Sequence, residues 1–440
     1  MILQETLEKM VKESVAKLLT FSADGIGNVT FSDIAENTKK EMNALGTKIL
    51  SVIVTQVEQI FDVTRDKHKV VVRNKNKKRR LLTELGEVEI RHTLYCDKTT
   101  GRYFFPADEI LRIPKKARIE NGMKAKLISD ATITSYGKAA TLADNAISRQ
   151  TVFNLVKDLK RISAPVIKPN FNAPVIYIEA DEDHIHLNTG RPSEVKLVYV
   201  HEGRTESSGR SKLINPRYFV SSKSASDEIW EDVDEYVNAY YRPYHAHVHL
   251  TGDGATWIRQ GIDLYPGVEY HLDKFHVQRA LTTLCAGNKD LLRELTFAVY
   301  NGEKHLFYSL CDKNGIRSKE AQREILYLVD NLEYIDRDSH CCAESHVSHV
   351  LSARMSSRPM GWSRAGADRI GKLRAYMFNK GDFRELVEVQ AKITQEKTRQ
   401  GNYIPYVEGK GYEPPRYEIA ELRAVYSGYA RAIKKIIKDF

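Results

Sequence analysis

The hydrophobic pattern of the first 125 residues predicts helices followed by a β-hairpin. Apolar side chains recur every three or four positions between 45 and 63, and we expect helices throughout residues 1–62. Residues 88–94 and 103–105 are instead β-prone runs on either side of a turn rich in Asp, Thr and Gly. The pattern therefore separates a helical N-terminal region, 1–85, from a β-hairpin module, 86–125.

Residues 126–165 have the pattern of a helix-turn-helix. Val152 and Val156 would pack inward from the second helix, and Ser148 is a suitable N-cap for it. In a DNA-binding protein, the outward face of such a helix contacts base edges in the major groove. An ordinary helical hairpin has the same pattern. The side chains predicted to face outward are Arg149, Gln150 and Asn154.

From residue 175 onward the pattern changes from helices to strands. The preceding segment, 161–174, contains three prolines and is expected to be a linker. Three β-prone runs then precede a helix, a strand, a helix and a strand, which is the element order of an RNase H-like fold. The predicted strands are 175–187, 195–201, 217–221, 247–250 and 268–272, and the predicted helices are 229–240 and 256–262.

The residues after 285 are expected to form a helical insertion and then the second part of this core. We predict a multidomain α+β or α/β protein. Its RNase H-like core has a helical insertion and follows a mainly helical DNA-binding region with a small β-hairpin. The expected segments are the first part of the core at 175–285, the insertion at 286–338, the second part of the core at 339–400, and a loop with a basic helix at 401–440.

The charge distribution favours a polyanionic partner. With 67 Lys and Arg against 58 Asp and Glu, the net charge is +9. Basic surfaces bind nucleic acids partly because they release counterions from the phosphates. The densest basic run lies at 65–80, and both a solvated loop and a phosphate-binding segment fit it. Its candidate phosphate contacts are Lys77, Lys78, Arg79 and Arg80.

The sequence lacks the features of secreted and membrane proteins. No apolar run approaches the roughly 18 residues of a membrane span, and the first residues do not resemble a signal peptide. The chain has five cysteines, and this odd number does not indicate a disulfide framework. We therefore expect a cytoplasmic protein that has no membrane partner.

The first candidate for metal-dependent chemistry is an acidic strand at 175–187. Strand alternation places Glu179, Asp181 and Asp183 on one face. Burying several carboxylates is costly unless a counter-charge accompanies them. The alternative is an edge strand whose acids face water. Asp181 is the preferred metal ligand, and Asp183 remains open because alternation does not separate the two.

Two more acids complete the candidate set. Asp253 ends a predicted strand between two glycines, and Glu344 lies near the start of a predicted helix. Each has a simpler interpretation, because acids commonly occupy turns and the first turn of helices. Phosphodiester cleavage uses two divalent ions about 3.5–4 Å apart, and such hard ions prefer carboxylate oxygens.

Four segments together resemble a known group of enzymes. Residues 178–184, 250–258, 272–276 and 354–363 are similar to those of the ISLre-type bacterial insertion-sequence transposases, which are related to the Mutator-like DDE transposases. The most specific features are the Gly-Asp-Gly-Ala-x-Trp-Ile motif that starts at Gly252 and the Asp-x-x-His motif that starts at Asp273. The resemblance extends over most of the chain.

The resemblance implies roles for individual residues. Asp181, Asp253 and Glu344 would bind two Mg²⁺ or Mn²⁺ ions. Asp273 and His276 would lie near the site, where His276 would contact a phosphate, orient a ligand or simply pack. Relatives in the broader group often have Gly after the first Asp. This chain has Glu182 there, so Asp183 remains the alternative first ligand.

The implied activity is that of a DDE transposase, which cleaves transposon ends and transfers the cut strands into target DNA. Its partners would be the terminal inverted repeats, target DNA and further copies of the chain in a dimer or larger synaptic assembly. The mobile element would be bacterial, and the protein would act in the cytoplasm at the nucleoid. Arg354 and Arg358 would hold DNA phosphates.

Two other functions are compatible with the pattern. A non-catalytic helix-turn-helix regulator would need only the basic run and the outward-facing helix. An RNase H-like nuclease or resolvase would need the acids but would perform no strand transfer. Metal-dependent nicking separates the first from a transposase, and strand transfer separates the second.

Overall fold

The computed structural model shows a mixed α/β protein. It describes residues 2–24, 28–144, 146–166, 169–207, 210–223, 225, 227–336, 343–358 and 360–391. The predicted loop and basic helix at 401–440 lie outside these residues. The chain divides at residue 124, with one compact unit before it and a second unit spanning 125–390. Within the described ranges, no helix combines the length and the apolarity that crossing a lipid bilayer requires.

The first unit consists of long helices and a small antiparallel sheet. Its elements are α1 (Ile2–Asp24), α2 (Phe31–Thr64), β1 (Val70–Thr83), β2 (Gly86–Asp97), β3 (Tyr103–Phe104) and α3 (Pro106–Ile110). Val54 and Val57 of α2 pack against Val88 and Ile90 of β2. The predicted hairpin is present, with Tyr95 of β2 opposite Phe104 of β3. Both N-terminal helices agree with the helical spacing of the sequence.

Most of the basic run, for which a solvated loop or a phosphate-binding segment was expected, lies in the strand β1. β1 pairs with β2 along most of its length and is the outer strand of the three. Two of its basic side chains form diagonal ion pairs with acids of β2, with Lys78 Nζ 3.8 Å from Glu89 and Arg80 Nη1 3.5 Å from Glu87. Cross-strand pairing stabilises a sequence whose own hydrophobic pattern does not indicate a strand.

Three helices begin the region after the hairpin: α4 (Asn121–Ile133), α5 (Tyr136–Thr141) and α6 (Arg149–Lys157). Ser148 caps α6 as expected, because its hydroxyl accepts a hydrogen bond from the Thr151 backbone N–H at 3.2 Å. Val152 and Val156 are buried. α5 and α6 are thus two short helices, and Ser148 caps the second one.

The main sheet of the second unit is built around its first strand. The strands are β4 (Val175–Leu187), β5 (Pro192–His201), β6 (Arg204–Ser207), β7 (Arg210–Leu213), β8 (Arg217–Ser221), β9 (His247–Gly252), β10 (Glu269–Leu272) and β11 (Gly361–Trp362). The main order is β10, β9, β4, β5, β8, and β11 pairs with the end of β4. β9 and β10 are parallel to β4, whereas β5 and β8 complete an antiparallel half. β6 and β7 form a separate hairpin that the sequence pattern does not predict.

The helices that follow β8 cover the sheet and form an insertion. They are α7 (Asp227–Tyr240), α8 (Thr256–Arg259), α9 (Lys274–Cys285), α10 (Lys289–Tyr300), α11 (Lys304–Lys313), α12 (Lys319–Asp330), α13 (Ala343–Val347), α14 (Ala353–Met355) and α15 (Arg364–Phe378). A π-helical turn, Ser348–Ser352, joins α13 to α14. The predicted helix at 256–262 is shorter, because a 3₁₀ turn, Gln260–Leu264, replaces its second half.

The two faces of the sheet differ in chemistry. Ile176 and Ile178 of β4 join Ile229 and Val233 of α7 in an apolar core. The opposite face of β4 carries acids, because successive side chains of a strand point to opposite sides. α15 packs over the β8 side of that face, and the Asn379 side chain after it hydrogen-bonds both backbone groups of Tyr218 at 2.9 Å.

The insertion helices have a core of their own. α9 to α12 pack around the fully buried side chains of Leu281, Leu295, Phe307 and Leu328. This helical bundle also reaches the sheet, because the Tyr327 hydroxyl donates a hydrogen bond of 2.9 Å to the carbonyl oxygen of Asp253. The insertion therefore supports the loop that follows β9.

Candidate metal centre

Three carboxylates of β4 are buried on one face of the sheet. Glu179, Asp181 and Asp183 are 1%, 5% and 8% exposed. β4 is the central strand, so the interpretation of these acids as water-facing groups on an edge strand does not hold. Glu179 has three side-chain partners within the protein. Its carboxylate accepts hydrogen bonds from Tyr199, from His201 at 3.0 Å and from Arg204 at 2.7 Å.

Asp181 is buried with only part of its hydrogen-bonding capacity used. Its Oδ1 accepts a hydrogen bond of 2.8 Å from the Glu182 backbone N–H. Its Oδ2 is buried and has no hydrogen-bond partner among the described residues. Burial raises the pKa of Asp181 to about 8, and the negative charges of Asp253, Glu344 and Asp273 contribute to the increase. In the absence of a cation, this site therefore holds a proton that an ordinary aspartate releases.

Asp253 is presented by a tight loop after β9. Its Oδ1 accepts a hydrogen bond of 2.9 Å from the Ala255 backbone N–H. Gly254 has a φ of +92°, and a Cβ there would lie 2.7 Å from the side-chain oxygen of Asn331. A Cβ on Gly252 would lie 2.6 Å from Ile258. Both glycines are thus required by the geometry that holds Asp253.

Glu344 lies in the first turn of α13, exposed to solvent. Its helix and the π-helical turn after it are held by His346, which contacts the sheet, and by Arg374 of α15. The ring of His346 packs on Tyr199 with 4.5 Å between centroids, and the Tyr218 hydroxyl lies 3.1 Å from its Nδ1. The buried guanidinium of Arg374 donates hydrogen bonds to carbonyl groups of the π-helical turn, including Val350 at 2.7 Å.

Asp273 and His276 occupy the start of α9. Asp273 is the N-cap and accepts a hydrogen bond of 3.0 Å from the Phe275 backbone N–H. Burial raises its pKa. His276 is 8% exposed, and its Nε2 is buried without a hydrogen-bond partner among the described residues. The ring therefore points an unused nitrogen toward the acidic face.

The structure brings together three of these groups. Ligand atoms of Asp181, His276 and Glu344 all lie within 4.8 Å of one another. Asp253 is not one of this trio, although it is near enough for its charge to raise the pKa of Asp181. The sequence predicts His276 only near the site, and its place among the closest groups is apparent only from the coordinates.

Of the two candidate first ligands, Asp181 fits better. Asp183 accepts a hydrogen bond of 2.9 Å from the Ser356 hydroxyl. Although its other oxygen is buried without a partner among the described residues, Asp183 is not in the group with His276 and Glu344.

A divalent cation fits the groups that converge here. Asp181 Oδ2 and His276 Nε2 are buried polar atoms without a hydrogen-bond partner among the described residues, which is unfavourable in a protein interior, and Asp273 Oδ2 lies 3.8 Å from Nε2. Carboxylate oxygens are the ligands that Mg²⁺ and Mn²⁺ prefer, and Asp181 and Glu344 supply two of the three converging groups. The donor set therefore accommodates the predicted ions.

Most of the residues predicted to contact DNA lie on the surface. Arg149, Gln150 and Asn154 are exposed on α6, where the Gln150 amide donates to Asn154 at 3.0 Å. Lys77, Lys78 and Arg80 are exposed on β1, and Arg358 is exposed after α14.

Two predicted DNA contacts are internal instead. Arg79 forms an ion pair of 2.8 Å with the buried Asp108 and donates hydrogen bonds to two carbonyl groups of the loop before α4. Arg354 is 4% exposed, lies over the ring of Trp362 and donates to the carbonyl of Ala131 at 3.2 Å. In this structure both side chains are used within the protein. The sequence does not reveal this, because their partners are distant along the chain.

Comparison with known proteins identifies the family. The chain belongs to UPF0236, an uncharacterised protein family whose model matches residues 27–392. Two UPF0236 proteins of Caldanaerobacter subterraneus subsp. tengcongensis are each 33% identical over 374 residues, covering 81% of this chain and 80% of each relative. The UPF0236 protein in the vanSb 3′ region of Streptococcus gallolyticus is 24% identical and covers 64% of this chain and 69% of its own.

Among solved structures, a match was found to the simian T-cell lymphotropic virus intasome in complex with the PP2A regulatory subunit B56 gamma. The match covers 55% of this chain and 78% of that chain, with 10% identity and a TM-score of 0.15. At this score the likeness carries no argument.

The raised pKa of Asp181 predicts a pH-dependent stability in the absence of divalent ions. Its ordinary pKa is 3.8 and its value in the folded protein is about 8, so the folded state retains an extra proton between these values. Folding stability should therefore decrease as the pH rises from about 4 to about 8, by up to ~1.4 kcal/mol for each pH unit.

Chemical denaturation in EDTA at pH 5 and pH 8 measures this effect. All three tryptophans (Trp230, Trp257 and Trp362) lie in the second unit, so their fluorescence reports its unfolding. Asp181→Asn should lose the Asp181 contribution, whereas the exposed control Asp290→Asn should behave like the unmodified protein. Identical pH dependence in all three proteins would contradict the assignment.

Proposed function

We propose that this protein is a DDE-type DNA transposase, which cleaves the ends of a mobile element and joins them to target DNA. The observation that carries the proposal is the convergence of Asp181, Glu344 and His276 within 4.8 Å, beside Asp253, around buried acceptors that have no partner among the described residues. Residues 181, 253 and 344 come from the middle of β4, the loop after β9 and the helix α13. Burying several carboxylates close together is unfavourable without a cation. With divalent cations bound, the same carboxylates can support phosphodiester cleavage.

The arrangement of elements supports an RNase H-like core. The first strand is central, two antiparallel strands follow on one side, and two parallel strands lie on the other. Because β4 and β9 are parallel, Asp181 and the Asp253 loop lie toward the same end of the sheet. The helices α10 to α12 lie between the last core strand and the helix of Glu344, as in the family that the sequence resembles.

The relatives supply an independent argument. The name of one Caldanaerobacter protein joins eleven serial designations, and a second joins four. We interpret these designations as multiple genomic copies of the same protein. High copy number within one genome is typical of a mobile element and is not expected of a DNA-binding regulator.

The chemistry follows from the acids and the DNA. In the first step, a water oxygen attacks the phosphorus at the element end, the P–O3′ bond breaks, and a 3′-hydroxyl is released with one proton passing to solvent. In the second, that 3′-oxygen attacks a target phosphate and displaces the target 3′-oxygen. Bound divalent ions would supply charge stabilisation for the phosphate oxygens.

The protein's residues would hold and orient these participants. Asp181, Asp253 and Glu344 would bind the ions, and His276 would complete the site or contact the phosphate. Arg358, exposed after α14, would pair with a DNA phosphate. Tyr327 would keep the Asp253 loop in place through its hydrogen bond.

End recognition is assigned to α6 and β1. Arg149, Gln150 and Asn154 form an exposed polar face that would contact base edges. The basic side chains of β1 would bind phosphates without sequence preference. Joining two element ends requires at least two active sites, so we expect a dimer or larger assembly on DNA.

Cleavage of terminal-repeat DNA in Mg²⁺ or Mn²⁺ tests the enzymatic claim. Asp181→Ala, Asp253→Ala and Glu344→Ala should each reduce cleavage by at least about 100-fold, because each removes a charge that stabilises the transition state. DNA binding by these variants should be retained, and the exposed control Asp290→Asn should remain active.

The alternatives give different results in this assay. No nicking by the unmodified protein would favour a DNA-binding regulator, and nicking without strand transfer would favour a nuclease or resolvase. Full cleavage by Glu344→Ala would remove the third ligand from the proposal.

A second test concerns the exposed basic side chains of β1. Replacing Lys77, Lys78 and Arg80 with alanine should weaken binding to all DNA sequences. It should also reduce the slope of log affinity against log salt by about 0.9 for each phosphate that the variant no longer neutralises. Fluorescence anisotropy at several salt concentrations measures this slope. Lys9→Ala, in the same unit and exposed, is the control, and an unchanged slope in the triple variant would exclude β1 as a phosphate-binding strand.

A further inference from the structure

A second group of metal-ligating side chains lies on β9 and β10, apart from the centre described above. Ligand atoms of His249, Glu269 and His271 all lie within 4.8 Å of one another. The strand pairing explains this, because His249 is directly opposite Glu269 and His271 follows two positions later on the same face. The group lies toward the beginning of β9, four residues before Asp253, and shares no residue with the first centre.

One of the two printed separations equals that between ligands of a tetrahedral ion, and the other is shorter. His249 Nδ1 lies 2.9 Å from His271 Nε2 and 3.4 Å from Glu269 Oε2. Two ligands bonded to Zn²⁺ at about 2.0–2.1 Å are separated by about 3.3–3.4 Å in a tetrahedron. Small side-chain movements would therefore allow all three groups to bind one ion.

A fourth residue orients one of the imidazoles. His271 Nδ1 is hydrogen-bonded to the carboxylate of Asp336. This contact assigns the ring proton to Nδ1 and leaves Nε2 with a lone pair directed at His249. Two imidazole nitrogens 2.9 Å apart share one proton in this arrangement. A carboxylate behind a ligating histidine is a common feature of zinc sites.

The surroundings leave room for an ion and its water. The side chains of His249 and His271 are 23% and 21% exposed, so the nitrogens are reachable from solvent. The Tyr177 ring stacks on His249 with 5.3 Å between centroids and limits its rotation. Three protein ligands and one water would complete four-fold coordination.

We propose that His249, Glu269 and His271 form a zinc-class divalent metal site, with Asp336 orienting His271. The nitrogen donors select a borderline transition cation over Mg²⁺ or Ca²⁺. The ion would join the outer strand β10 to β9 and, through Asp336, to the chain seven residues before α13. This inference is independent of the proposed function, because it requires neither DNA nor catalysis.

Zinc binding can be measured without interference from the first centre. The full chain carrying Asp181→Asn and Glu344→Gln is stripped with EDTA, dialysed and titrated with Zn²⁺ by calorimetry, and bound zinc is measured by mass spectrometry. We expect one zinc per chain and no comparable binding of Mg²⁺. Absence of bound zinc would overturn the proposal.

Variants in this background assign the ligands. His271→Ala should abolish stoichiometric binding, and Asp336→Asn should weaken it roughly 10–100-fold. Glu269→Gln should also weaken it, and since Glu269 is 57% exposed, this variant keeps the test valid even if His271→Ala fails to fold. His305→Ala, an exposed histidine of α11, should bind zinc normally. Unchanged zinc affinity in both His271→Ala and Glu269→Gln would overturn the assignment.

Discussion

An ionised carboxylate loses its hydration when it is buried, and the central strand β4 buries three of them on one face. For Glu179, hydrogen bonds from Tyr199, His201 and Arg204 replace the lost hydration. Asp181 is not compensated in this way, because one of its oxygens has no hydrogen-bond partner within the described structure and Asp253, Glu344 and Asp273 are near it. The fold thus creates a deficit of positive charge at one place. A bound cation is the simplest complement, and the functional proposal depends on this imbalance.

The rest of the second unit maintains that imbalance. Parallel pairing of β4 with β9 brings the Asp253 loop alongside, and Tyr327 of the insertion holds the loop from behind. Glu344 arrives from a distant part of the chain, and its helix is anchored by the packing of His346 and the hydrogen bonds of Arg374. None of these anchoring groups would touch the substrate. Their contribution is to fix positions against the mutual repulsion of the acids.

Much of the architecture could be predicted from the sequence, because periodicity directly reports which face of a strand or helix is buried. The run 175–187 and the cap at Ser148 are examples. The basic strand β1 could not be predicted, because its stability comes from pairing with β2 and not from its own pattern. The internal partners of Arg79 and Arg354, which were predicted to contact DNA, could not be foreseen for a related reason. The sequence does not show whether a basic side chain has a carbonyl or carboxylate partner in the protein interior. The strand and turn patterns supplied the candidate acids and the resemblance assigned them to metal binding, whereas the grouping of His276 with Asp181 and Glu344 and the separate His249 group depend on the tertiary structure.

The most direct test of the central claim is to locate a divalent ion at the acidic centre. Crystals grown without divalent ions and then soaked in Mn²⁺ would be measured at a wavelength where manganese scatters anomalously. The account predicts an anomalous peak within bonding distance of carboxylate oxygens of Asp181 and Glu344, and its disappearance in Asp181→Asn. Well-ordered Asp181, Asp253 and Glu344 side chains without any anomalous peak between them would contradict it.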